Sequence, residues 1–273
     1  MFIHNINPIL IPLNFIADGF GIRYYGIIYA LGFLISYFFL KKQKNFLKLN
    51  DNQIDNLFLY IILGTIIGAR FLDFIFFNPL TLIQNPLELF FIWKGGLSFH
   101  GGLIGCITAI YLYSKKHKIK IYKITDTLVI PASLMLFFGR IANFINAELI
   151  GTITNLPWAV NFNNELGSNG QLIGRHPSQL YEAVKNLAIF FTLYLIKNHE
   201  EKTKTYKEGF RTWIFILLYG LLRLITNIWR DDYKWFFNIM GSGQILSLIM
   251  FIIATYILIK KYKIFQKDKL INK

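Results

Sequence analysis

Seven apolar runs constrain this chain more than any other feature, each close to the roughly 20 helical residues needed to cross a hydrocarbon core about 30 Å thick. They cover about 22–40, 57–77, 95–113, 124–142, 177–196, 210–229 and 240–259. Helices are expected of them, because a helix satisfies every backbone N–H and C=O internally where no water can. Composition agrees: 54% of the 273 residues are hydrophobic and 17% aromatic, more than one soluble core can hide. The residues before the first run are mostly uncharged and form no basic segment, so that run is expected to stay attached rather than be cleaved as a signal. No linker, low-complexity tract or long internal repeat interrupts the chain. The expected fold is therefore an all-α integral membrane protein, a single domain over 1–273 with about seven transmembrane helices.

The formal charge of +14 would suggest a nucleic-acid partner in a soluble protein, but the 29 Lys and Arg are sorted by loop. Stretches 41–56, 114–123, 197–209 with Arg211, and 260–273 hold 20 of them. The alternate stretches 1–23, 78–94, 140–176 and 230–239 hold 6, leaving Arg70, Lys185 and Arg223 inside spans. By the positive-inside rule the first set is cytoplasmic, which places the N-terminus outside and the C-terminus in the cytoplasm. The basic runs then set topology and touch anionic membrane lipids; no nucleic acid is needed to explain them. The stretch 76–91 is expected along the outer interface, and 144–176 as the longest outer loop.

With that topology, the polar residues inside the runs fall at one depth, toward the outer face. Arg23 and Tyr25 open the first run; Arg70 and Asp73 lie in the outer half of the second; His100 is about five residues into the third, roughly 8 Å deep. Arg140 and Asn143 close the fourth, His176, Gln179 and Glu182 begin the fifth, and Gln244 starts the seventh. Tyr219, Arg223, Asn227 and Arg230 follow one another at spacings of 4, 4 and 3, one stripe of the sixth helix. Ionisable groups at membrane depth face a cavity or one another, so the layer reads as a polar chamber. Arg70 and Asp73, three apart, read as a structural pair. Gly64, Gly68, Gly101 and Gly105 fit close helix packing, and Cys106, the single cysteine, reads as core filler.

Arg140, Arg223 and Arg230 with His100 make an anion site, since Arg holds phosphate bidentately and a neutral His can take a proton near pH 7. The natural anion in this solvent is a lipid head group, and the chemistry is displacement at phosphate's carbon ester with His as proton acceptor. His4, His117 and His199 lie on termini or loops, and no metal constellation or cofactor fingerprint occurs; metal and cofactor are both expected to be none.

The segments GGLSFHGGLIG (95–105), GRIANFINAELIG (139–151), RHPSQLYEA (175–183), RYYGIIY (23–29) and GQILS (243–247) resemble the signature blocks of the prolipoprotein diacylglyceryl transferase family. The resemblance runs from the first span to the seventh. It implies a seven-span enzyme of the bacterial inner membrane with its active site toward the outer leaflet. Such an enzyme moves the diacylglyceryl group of phosphatidylglycerol to the thiol of the lipobox cysteine of a preprolipoprotein. A thioether forms and glycerol 1-phosphate leaves, the first step of bacterial lipoprotein maturation. The resemblance gives Arg140, Asn143, Asn146, Glu148, Gly151 and Tyr219 to phosphatidylglycerol, and His100, Arg223 and Tyr25 to catalysis. His100 is assigned the thiol proton, with Glu148 and Tyr25 in the same layer as other acceptors.

One position departs from the family. Its sixth-span pattern is R-x-x-x-E-x-x-R, and this chain reads RLITNIWR, with Asn227 where the carboxylate is expected. Arg223 and Arg230 are thereby expected to lack a nearby counter-charge. A transporter, the reading from another class, would need polar groups near the midplane and internal repeats; this chain's polar layer is displaced outward.

Overall fold

The computed structural model describes residues 1–13, 21–91, 96–231 and 241–262. Gly95 and Met240, at which the third and seventh apolar runs begin, lie outside the described residues, as do Lys94, Lys234 and the four lysines after Tyr262. The described elements run β1 (Phe2–His4), β2 (Ile9–Pro12), β3 (Gly21–Arg23), α1 (Tyr24–Lys42), α2 (Lys44–Leu47), α3 (Asp51–Phe77) and α4 (Pro79–Gln84). After a 3-10 turn at Pro86–Phe90 come α5 (Phe99–Lys116), α6 (Ile121–Ile145), β4 (Val160–Phe162), α7 (Ser178–Thr203), α8 (Phe210–Thr226), a 3-10 turn at Asn227–Trp229 and α9 (Ser242–Tyr262). Helices dominate, and each expected apolar run coincides with one of the long ones.

Five helical stretches among the described residues are long and apolar enough to cross a membrane: Tyr24–Lys42, Asp51–Phe77, Ile121–Ile145, Phe210–Trp229 and Gly243–Tyr262. Helices α5 and α7 fall outside that group. Along α7 the residues Gln179, Glu182, Lys185 and Asn186 are buried and polar, which lowers the helix's hydropathy while directing the polar face inward. The molecule is inside-out in the manner of lipid-solvated proteins. Ile67, Phe71, Ile107, Ile252 and Tyr256 are exposed on helices, whereas Arg70, Glu182, Lys185, Arg223 and Asn227 are buried.

The chain gathers into two compact units, Met1–Ser36 with Val129–Lys273, and Tyr37–Leu128. In the second, Asn50 caps α3 reciprocally: its side chain accepts from Gln53 N at 2.8 Å while Gln53 Oε1 accepts from Asn50 N at 3.0 Å. Helices α3 and α5 meet through the four glycines anticipated for close packing. A methyl group at Gly64 would stand 2.5 Å from Ala109 Cβ and 2.7 Å from Gly105 O, so any side chain there would force the helices apart. Leu40, Leu57, Ile61, Ile110 and Tyr113 form the apolar core below this contact, with Cys106 packed against it as filler. Arg70 is a brace: Nε donates to Leu89 O, Nη1 to Gly96 O, and Nη2 to Glu88 O and Phe91 O, all within 3.2 Å. These bonds fix the apolar arm that follows α4, and Asp73 accepts from Asn78 Nδ2 at 3.3 Å.

The first unit holds two features not anticipated in an all-helical chain. Strand β1 pairs in parallel with β4, and β2 pairs antiparallel with β3. The loop between α6 and α7 is a compact structure rather than a polar tether: Val160, Asn161 and Phe162 are buried, and Asn161 Nδ2 donates to Glu165 O and Ile173 O. Three-residue strands of this kind carry too little periodicity to read from sequence.

Candidate active site

The site begins where α6 ends. Ala147 and Leu149, on either side of Glu148, both adopt left-handed backbone (φ 54° and 56°), a conformation that costs a residue with a Cβ about 1 kcal/mol or more. The start of α7 holds this kink in place. Gln179 Nε2 donates to Glu148 O at 2.5 Å, and Ser178 Oγ donates to Leu149 O at 2.7 Å. The kink turns the Glu148 carboxylate back onto α6, where it accepts from Asn143 Nδ2 at 2.9 Å and from Asn146 Nδ2 at 3.1 Å. Asn143 Oδ1 in turn accepts from Arg140 Nη1 at 3.2 Å. Four residues of one sequence block thus form a single bonded chain.

Arg140 also reaches the centre of the unit's polar interior, the carboxylate of Glu182. Oε2 of Glu182 receives Lys185 Nζ at 3.0 Å and lies 3.3 Å from Arg140 Nε. Oε1 receives Thr226 Oγ1 at 3.0 Å and pairs with Arg223 Nη1. The four donors take up the lone pairs of one carboxylate. Lys185 Nζ sits 4.3 Å above the Tyr219 ring, so Tyr219 carries the ammonium on its face. Among the described residues, Arg140 Nη2 and Arg223 Nη2 have no hydrogen-bond partner. Tyr25 stacks on Tyr29 at 4.7 Å, their hydroxyls 3.2 Å apart, within electrostatic range of Glu148 and Arg140.

Gly151 is required by a backbone crossing. Its N–H donates to His176 O at 3.0 Å, and a Cβ would stand 2.6 Å from Trp229 O. His176 packs nearby with its Nδ1 3.1 Å from Tyr181 OH, and burial lowers its pKa below the usual histidine value.

Three expectations are corrected here. Arg223 does have a counter-charge: Glu182, across from it on α7, takes the place expected of a carboxylate at Asn227. Asn227 Oδ1 is buried with no hydrogen-bond partner among the described residues. The stripe on the sixth helix breaks after Thr226, because the 3-10 turn carries Arg230 into extended backbone bridged to Gly151. His100 lies in the opening turn of α5 rather than five residues along it; it belongs to the other unit and is exposed, its ring on edge to Phe99.

The residues that sequence reasoning underrated are Glu182, Lys185 and Thr226. The available signal was spacing: Gln179, Glu182, Lys185 and Asn186 share one face of an otherwise apolar helix.

Fold and cluster together define a helical membrane protein with a buried, cation-rich centre. Residues 12–260 match the family model for prolipoprotein diacylglyceryl transferase. The chain is 34% identical over 261 residues to the phosphatidylglycerol–prolipoprotein diacylglyceryl transferase of Rickettsia bellii, covering 94% of this chain and 95% of that protein. It is 34% identical over 265 residues to the protein of the same name from Rickettsia typhi, covering 94% and 98%. The chain belongs to the prolipoprotein diacylglyceryl transferase family and is a transferase.

Proposed function

We propose that this protein transfers the diacylglyceryl group of phosphatidylglycerol to the thiol of the lipobox cysteine of preprolipoproteins, at the outer leaflet of the bacterial inner membrane. The observation that carries this reading is the buried cluster in which Arg140 and Arg223 share Glu182 yet keep guanidinium nitrogens unengaged. A guanidinium fork with open N–H groups at membrane depth suits a phosphodiester head group. Arg140, Asn143, Asn146, Glu148, Gly151 and Tyr219 form the head-group side of the site; Arg223, Tyr25 and His100 serve the reaction.

In the step itself the thiol, with an ordinary pKa near 8.5, gives its proton to a base, the role that the family resemblance assigns to His100. The thiolate attacks the glycerol carbon that carries the phosphate ester. The C–S bond forms as the C–O bond breaks, and the electron pair leaves on glycerol 1-phosphate, whose growing charge Arg140 and Arg223 stabilise. The proposed topology is seven spans, with α5 and α7 crossing beside the five more apolar helices, the N-terminus outside and the C-terminus cytoplasmic.

Purified protein mixed with labelled phosphatidylglycerol and a lipobox peptide is expected to label the peptide at cysteine and not a serine counterpart. Equal labelling of the serine peptide would refute the thiolate step. Single cysteines at Asn52 or Lys202, in a Cys106→Ala background, are expected to be shielded from impermeant reagents in intact cells; ready reaction would reverse the topology.

A further inference from the structure

Lys185 is a buried cation that the reaction described above does not use. It is 4% exposed and its partner Glu182 2% exposed, one helical turn apart on α7. Its Nζ binds Glu182 Oε2 at 3.0 Å, the same oxygen that Arg140 approaches, and rests over the Tyr219 ring. Three cations, Arg140, Lys185 and Arg223, therefore surround one carboxylate, and their sum is +2. Among the described residues, Glu148, the next carboxylate, accepts hydrogen bonds from the amides of Asn143 and Asn146.

A carboxylate that served packing alone would be neutralised by one arginine. Each further cation buried against it costs desolvation that a shared carboxylate, the Tyr219 ring and the Asn143 amide repay only in part. The surplus has a physical reason if the site completes itself with an anion, and the size of the surplus indicates which state of that anion it fits. A phosphodiester carries one negative charge; a phosphate monoester carries close to two at pH 7.

Resting on the transferase reading, we propose that Lys185 is a positioning residue that fits the site to the departing phosphate rather than to the intact lipid. By engaging Glu182 Oε2, it keeps that carboxylate from drawing both guanidiniums fully onto itself. It also adds the second unit of positive charge, which gains its partner only as the C–O bond breaks. Tyr219 holds the ammonium in place by offering its ring face. A contribution realised only in the transition state raises kcat and leaves KM nearly alone.

The test is steady-state transfer from labelled phosphatidylglycerol to a lipobox peptide, normalised to folded enzyme. Lys185→Met is expected to lower kcat roughly 30- to 100-fold while KM for phosphatidylglycerol moves less than about threefold. Inhibition by glycerol 1-phosphate, the dianionic product, should weaken by a similar factor. Lys185→Arg should restore kcat to within roughly fivefold of the unaltered enzyme. If Lys185→Met does not accumulate, Lys185→Gln carries the same expectation. Unchanged kcat in the uncharged variants, a loss carried by KM alone, or no recovery with arginine overturns the inference and leaves the transferase reading standing. Failure of the unaltered protein to label the peptide overturns both.

Discussion

Arg175 and Glu182 stand at the centres of two ion clusters in the same unit, built in opposite proportions. Arg175 Nε and Nη2 grip Glu165 at 2.6 and 2.8 Å, while Nη1 binds Asp231 Oδ2 at 2.9 Å and Gly151 O at 3.1 Å. Every nitrogen of that guanidinium is engaged, and two carboxylates face one cation. Around Glu182 three cations face one carboxylate, and among the described residues both arginines keep unengaged nitrogens. The first arrangement is complete as it stands and braces the loop between α6 and α7 against the segment after α8. The second carries a net positive charge among the described residues. Arg70, with its nitrogens on four backbone carbonyls, belongs with the braces. What separates the bracing arginines from the two proposed for the site is whether their donors are already used, since burial is shared by Arg70 and Arg223.

That distinction breaks most visibly at Arg223. Arg223→Ala is expected to lower transfer about a thousandfold, near 4 kcal/mol of transition-state stabilisation, with the protein still accumulating in membranes. Retention of a tenth of the activity would remove Arg223 from the phosphate site. Arg140→Lys keeps the charge but loses the fork that spans Glu182 and Asn143, and a fall of roughly a hundredfold is expected. Near-normal turnover in that variant would show that Arg140 acts as a point charge only.

Much of the helical framework was legible because a lipid-solvated helix announces itself by length and apolarity, and the small-residue packing of α3 on α5 is written in glycine spacing. The block 139–151 stood out by resemblance, and its head-group role is part of the proposal. Glu182 and Lys185 were harder to weigh, because their meaning depends on Arg140 and Arg223 arriving from α6 and α8, far off in sequence. Sequence order left Arg223 without a counter-charge, because its own helix carries the neutral Asn227 one turn along, whereas tertiary packing supplies Glu182 from α7. The short strands and the left-handed residues beside Glu148 were not legible, since partners distant in sequence, Gln179 and Ser178 among them, hold that backbone.

Arg70 sharpens the comparison from the other side. Arg70→Met removes the donor of four part-buried hydrogen bonds to backbone carbonyls, which is expected to lower stability by roughly 2–4 kcal/mol. The loss should appear as reduced folded protein and a lower melting temperature, with kcat per folded molecule within about threefold of the unaltered value. A collapse of kcat at normal stability would move Arg70 from the braces to the reaction.

The smallest effect belongs to the Arg175 brace and depends on pH. The guanidinium held bidentately against Glu165 keeps that carboxyl below the ordinary carboxylate range. Because the folded-state pKa is depressed, the stabilisation is fully present above the unfolded value, about 4.3. It disappears as pH falls through the folded value, where folded and unfolded states bind the proton alike. Glu165 is partly exposed and Asp231 remains to hold Arg175, so solvent screening keeps the effect small. Glu165→Gln is expected to melt roughly 2 °C below the unaltered protein at pH 7. On acidification the unaltered protein should lose that advantage while the variant, which has no proton to take up there, should not follow it. The two melting curves should therefore meet at low pH. A gap that persisted undiminished at pH 3 would mean that Glu165 stabilises the loop by shape rather than charge, and the contrast between a charge-complete brace and a charge-incomplete site would lose its first member.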